Sequence, residues 1–139
     1  MPEIMVAHNI PYVATACPSF YRDLMLKVRK GMEVKGPAYI QILSPCPTGW
    51  RCPTDNAVDI GRQAVQCGMF PLYEVENGIY KINYNPATLK PVADYLKAQG
   101  RFRHLSETEI NFIQQKVDKE WAKLKGLASL PPGQKEPAA

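Results

Sequence analysis

The sequence predicts an α/β fold built mainly on parallel strands with flanking helices, joined by a β-hairpin and C-terminal helices. Three observations carry this reading. A short β-prone run, Pro11-Tyr12-Val13-Ala14-Thr15-Ala16, leads into a helix-periodic stretch that Gly36-Pro37 closes. The next run, Ala38 to Leu43, is almost continuously apolar, as expected of a parallel strand covered on both faces. Further on, Asn77-Gly78 lies between two β-prone segments, the pair favoured in a two-residue hairpin turn.

Residues 1–9 read as the last turns of a helix, with Ile4, Met5 and Ala7 on one face and Asn9 as a left-handed terminator. A helix present only as its end is expected to begin upstream of Met1. A helix follows the first strand over residues 19–34, with Ser19 as N-cap, although Arg22 does not complete a capping box. Its apolar stripe is Tyr21, Met25, Val28 and Met32. Strand, helix and strand make a βαβ unit with an expected right-handed crossover.

A Pro/Gly/Cys loop occupies residues 44–54. Thr54 then caps a helix that ends at Gly68, with Ala57, Ile60, Ala64 and Cys67 facing inward. Leu72 to Tyr84 forms the hairpin, and a short helix runs from near Pro91 to Gly100. Ser106 and Glu109 make a capping box for the last helix, Leu105 and Ile110 its hydrophobic staple. Ile110, Ile113, Val117, Trp121 and Leu124 form its stripe. From Ala128 the Pro-, Gly- and Lys-containing tail is expected to be disordered.

At 139 residues and 45% apolar content the chain suffices for one domain with a real core. No run approaches the ~20 apolar residues that span a bilayer, and no signal-peptide pattern opens the chain, so the expected location is cytoplasmic. The net charge of +4 is mild and interleaved with acids, which argues against nucleic acid as a partner. The densest basic patch, Lys97, Arg101, Arg103 and His104, reads as solvated surface or a face for an acidic protein.

Four cysteines, Cys17, Cys46, Cys52 and Cys67, remain to be placed. Two follow the expected strands, where ligands of open α/β sheets sit. Cys46 lies between Pro45 and Pro47, which stiffen the backbone, with Gly49 permitting a close turn. Read alone, Cys46 is explained better by packing than by metal. Five residues separate it from Cys52, a weak metal spacing, and no Cys-x-x-Cys pair exists. Cys17 and Cys67 read as structural. No phosphate loop, dinucleotide fingerprint, catalytic histidine pair or nucleophile elbow is found.

Pro11-Tyr12-Val13-Ala14-Thr15-Ala16, Lys35-Gly36-Pro37-Ala38-Tyr39-Ile40 and Pro45-Cys46-Pro47-Thr48-Gly49-Trp50 carry a family resemblance, as do Pro91 to Leu96 and Gln99 to Phe102. In that order the sequence resembles the C-terminal part of the β subunit of pyruvate:ferredoxin oxidoreductase, in the 2-oxoacid:ferredoxin oxidoreductase family. The resemblance implies that residues 1–127 are the C-terminal portion of a thiamine-diphosphate-binding domain and that 128–139 are a tail. It implies a complete enzyme that uses thiamine diphosphate, magnesium and a [4Fe-4S] cluster. That enzyme converts a 2-oxoacid and coenzyme A to acyl-CoA and passes electrons to ferredoxin.

Cys46 matches the family's fourth cluster ligand. The other three ligands and the thiamine motif match nothing in this sequence. The chain is therefore expected to hold neither cofactor alone, to have no catalytic residue of its own, and to depend on the missing N-terminal part or other subunits. An incomplete sheet with an exposed apolar edge should result. Two alternatives stay open: a non-catalytic interaction domain of the same fold, and a thiol redox protein using Cys46 and Cys52.

Overall fold

A computed structural model describes residues 1–131. The element order is α1 (Pro2–Ala7), β1 (Tyr12–Ala16), α2 (Tyr21–Glu33), β2 (Ala38–Ile42), α3 (Pro47–Trp50), α4 (Ala57–Gln66), β3 (Tyr73–Glu76), β4 (Ile79–Ile82), α5 (Val92–Lys97) and α6 (Glu107–Ser129). Short 3-10 turns at Pro18–Phe20, Thr54–Asn56 and Gly100–Phe102 complete the path. The expected α/β class is found.

One mixed sheet has the order β2-β1-β3-β4. β1 and β2 are parallel, with Tyr12 opposite Ala38 and Ala16 opposite Ile42. β3 is antiparallel to β1, and β4 to β3. The hairpin thus extends the sheet, which holds one parallel pair rather than a mainly parallel set. Asn77 and Gly78 both have positive φ (50° and 82°), the requirement of a type I′ turn. Asn9, at φ 56°, ends α1 as expected.

Two apolar clusters make most of the core, and the first lies on the sheet. Val13, Tyr73 and Val75 pack on Trp121 and Leu124 of α6, with Met5 and Val6 of α1 against them. α1 thus half-covers Met5 and Val6, while Ile4 and Ala7 of the expected face are exposed. Ile60, Ala64 and Cys67 of α4, Val92, Tyr95 and Leu96 of α5, and Val117 of α6 form the second layer. The capping box of Ser106 and Glu109 is complete, and Leu105 and Ile110 pack against the same layer.

α2 departs most from expectation. Its stripe points outward: Tyr21 is 59% exposed, Met25 62%, Val28 40% and Met32 82%. The inner side carries Lys27 and Lys30. Lys27, almost fully buried, donates to the Thr15 carbonyl at 2.8 Å and to Asp23 at 2.7 Å. Burial still pulls its pKa below the usual lysine value, against the Asp23 carboxylate that raises it. Lys30 pairs with Glu74 at 3.0 Å and also with Glu76. The buried Glu74 carboxylate requires a cation and the Thr15 carbonyl a donor, so the polar side of α2 turns inward.

Smaller corrections follow from the same accounting of polar groups. Ser19 is not an N-cap: its hydroxyl donates to the Val58 carbonyl at 2.7 Å, and α2 begins at Tyr21. Thr54 opens a 3-10 turn, and α4 starts three residues later without a side-chain cap. β2 is an edge strand and is only partly covered, with Ile42 exposed. Ala128 and Ser129 are the last residues of α6, and the rest of the expected tail from residue 132 lies outside the described residues. No described helix is long and apolar enough to cross a membrane.

A candidate cysteine site beyond the parallel strands

Because β1 and β2 are parallel, both chains leave the sheet at one end. Leu43 N–H donates to the Ala16 carbonyl at 2.9 Å and extends the ladder by one step. Cys17-Pro18-Ser19 and Ser44-Pro45-Cys46 then run toward α4. They meet at Gly61, where a Cβ would lie 2.5 Å from Ser19 Oγ, 3.1 Å from Pro45 Cγ and 3.3 Å from Cys17 Sγ. A residue without a side chain is what lets both loops seat on the helix.

Four free cysteines divide into two kinds here. Cys17 is buried and its thiol points to the Gly61 carbonyl at 3.7 Å. Cys67 is buried in the α4–α5 layer beside the Ala64 carbonyl, and burial pushes its thiol pKa up. Both behave as small core residues with a weak donor, as expected. Cys52 is half-buried, packs against the same layer, and has its sulfur 3.9 Å from the Pro47 carbonyl. Cys46 alone is exposed.

The backbone around Cys46 is tightly specified. Cys46 is extended and caps the single turn of α3, its carbonyl accepting from Trp50 N–H at 2.8 Å. Arg51 N–H donates to the Thr48 carbonyl and Cys52 N–H to the Pro47 carbonyl, with Arg51 left-handed at φ 54°. These two bonds and that residue form a Schellman closure. Gly49 lies behind the thiol, where a Cβ would come within 3.3 Å of Cys46 Sγ.

Beneath the loop is a support with no local signature in the sequence. The Arg101 guanidinium stacks 4.4 Å from the Trp50 ring centroid and 4.5 Å from that of Phe102. Its Nε donates to Gln99 Oε1 at 3.0 Å, and Gln99, fully buried, donates in turn to the Tyr95 carbonyl. Gly100 N–H donates to the Arg51 carbonyl at 3.1 Å, and a Cβ on Gly100 would stand 2.7 Å from that oxygen. The 99–102 segment therefore carries the Cys46 loop. Gly61, inside a helical pattern, was a readable hint of close approach. The Trp50–Arg101 pair joins positions 51 residues apart and was not.

The residues fit a contribution of one thiolate to a metal cluster. They do not make up a whole set, since no three His, Cys, Asp or Glu side chains converge among the described residues. His8 and His104 are both exposed and belong to no such group.

No protein-family model matches the chain. Curated relatives do. Pyruvate synthase subunit PorB of Methanocaldococcus jannaschii is 54% identical over 127 residues, which cover 91% of this chain and 42% of that subunit. Ketoisovalerate oxidoreductase subunit VorB of Pyrococcus abyssi is 47% identical over 130 residues, 92% of this chain and 42% of the subunit. The chain is a relative of part of these oxidoreductase subunits. Pyruvate synthase subunit PorB of Thermotoga maritima is 40% identical over 127 residues, 88% of this chain and 39% of that subunit. The chain thus spans less than half the length of the PorB and VorB subunits it matches, and those subunits belong to oxidoreductase enzymes.

Proposed function

We propose that the chain forms the C-terminal part of the β subunit of a 2-oxoacid:ferredoxin oxidoreductase, with pyruvate as the favoured 2-oxoacid. In this reading Cys46 supplies one thiolate to a [4Fe-4S] cluster whose other ligands lie outside the chain. One observation carries it: of four thiols, Cys46 alone is exposed, on a closed loop just past the end of β2. That is where open α/β sheets place their ligands.

In the complete enzyme, thiamine diphosphate with magnesium supplies carbanion chemistry and the cluster a one-electron sink. The chain's own residues do the holding. Pro45 and Pro47 restrict the backbone on either side of Cys46, and the Schellman closure fixes the turn after it. Gly49 leaves the sulfur unobstructed from behind. Coenzyme A, the 2-oxoacid and ferredoxin are partners of the whole assembly, and the chain alone turns nothing over.

The test is complementation. The chain is produced together with the portion of the Methanocaldococcus jannaschii subunit that it does not match, and iron content and electron-paramagnetic signals are recorded. A cluster signal is expected from the pair, lost in Cys46→Ser and kept in Cys52→Ser. A cluster assembled by this chain alone, or full iron in Cys46→Ser, would refute the assignment. The outward stripe of α2 beside the free edge of β2 favours a second reading, an interaction domain without chemistry. Binding of the complementary portion with no iron uptake would select it.

A further inference from the structure

By sequence Arg101 belongs to a basic surface patch, yet its side chain is committed to the Cys46 loop. It is half-buried and in no ion pair among the described residues. A cation drawn out of water usually answers a carboxylate, as Lys27 answers Asp23 at 2.7 Å. Arg101 instead lies over two rings, those of Trp50 and Phe102.

From there a series of contacts links the core to Cys46. Tyr95 and Leu96 of α5 are buried in the core. Gln99, 1% exposed, donates to the Tyr95 carbonyl at 2.8 Å and accepts from Arg101 Nε at 3.0 Å. Arg101 stacks on Trp50, and Trp50 N–H donates to the Cys46 carbonyl at 2.8 Å. A second link runs beside the first: Gly100 N–H donates to the carbonyl of Arg51, the left-handed residue that closes the turn. The 99–102 segment therefore grips the turn at its last helical residue and at its cap. α3 has only four residues and no side-chain cap. A single turn of helix is not stable by itself, so its shape must be held from outside.

We propose that Arg101 is a positioning residue for Cys46, its guanidinium holding the turn that presents the thiol. The role needs the flat fork rather than the charge. Arginine can lie along aromatic faces while its Nε donates in a fixed direction, whereas a lysine ammonium is a point charge on a flexible stem. The purpose of this positioning rests on the reading of Cys46 as a cluster ligand. The positioning itself does not, so the two are tested apart.

Amide hydrogen exchange is followed in the full chain and in its Arg101→Ala and Arg101→Lys variants. In both variants the amides of Trp50, Arg51 and Cys52 should exchange about tenfold faster. The amides of Val117, Trp121 and Leu124 in α6 should keep the parent rate. Equal acceleration at both places means that Arg101 only adds to global stability, and overturns the proposal. Unchanged loop amides overturn it as well. Parent-like exchange in Arg101→Lys would show that a charge suffices, which equally overturns it. Iron retention is the second readout, taken on the chain complemented as above and challenged with a chelator. Both variants should lose iron about tenfold faster than the parent. Unchanged iron loss, in a pair where Cys46→Ser takes up no iron, would cut the link from Arg101 to the thiol and overturn the proposal. Full iron in Cys46→Ser would refute the cluster reading instead, and the exchange rates alone would then decide the role of Arg101.

Discussion

Gly61 is the residue on which the candidate site depends most directly, because two strand-end loops and α4 meet over its missing side chain. In Gly61→Ala the added methyl would sit 2.5 Å from Ser19 Oγ and 3.1 Å from Pro45 Cγ. The hydroxyl can turn away, at the cost of its bond to the Val58 carbonyl, whereas the proline ring cannot. Alanine is the better helix former by about 1 kcal/mol, while overpacking of this kind costs roughly 1–3 kcal/mol. The net expectation is a loss of about 1 kcal/mol. The displacement falls on Pro45, next to Cys46, so the rate of Cys46 alkylation should change as well. Gly126→Ala is the internal control: nothing lies within 4 Å of its added Cβ, and it should gain up to about 1 kcal/mol. Urea unfolding of both variants checks the pair, and a Gly61→Ala protein as stable as the parent would show that the loops have room to move.

Among the elements, the local signals were legible and the long-range polar ones were not. Asn77-Gly78, the Ser106–Glu109 box and the α6 stripe all act within a few residues, and each is where the sequence places it. The stripe of α2 was readable as a face, but periodicity does not say which way a face points. Its direction is set by Glu74, 44 residues from Lys30 in sequence. Glu74 is nearly fully buried and accepts from Tyr12 hydroxyl of β1, Lys30 of α2 and Asn83 after β4. Burial alone would raise its pKa, but these donors and the Lys30 charge overcome that and hold it at about 2, below the ordinary 4.5. A depressed carboxyl contributes stability that is present above the unfolded value and is lost as pH falls through the folded one. The chain should therefore lose stability steadily between pH 4.5 and about 2. Glu74→Gln should be less stable near neutrality and show a flatter profile across that window. An unchanged slope in acid unfolding would mean that other carboxyls govern it.

At the scale of the whole molecule, the chain satisfies its core on one side and leaves it open on another. α6 and α1 cover one face of the sheet at Val13, Tyr73 and Val75, and the polar side of α2 covers the other, whereas β2 keeps a free edge and α2 turns Tyr21, Met25, Val28 and Met32 to water. The sequence anticipated an exposed apolar edge at a sheet. It did not anticipate that a helix would widen that surface, because the cations that turn α2 over are anchored by tertiary contacts. Contiguous apolar surface of this kind drives association unless something covers it, and a free strand edge adds unpaired backbone groups to the same side. The isolated chain should therefore associate as its concentration rises. Met25→Lys with Met32→Lys should return it to a monomer at the same concentration in sedimentation velocity. Both side chains are already largely in water, so stability should change by no more than about 0.5 kcal/mol. That pairing of outcomes matters, because a core contact would lose stability and a surface contact would lose only association. A double variant that still associates would move the contact from α2 to the β2 edge, where Ile42→Pro, by removing a backbone donor that faces away from β1, is the next substitution to separate the two.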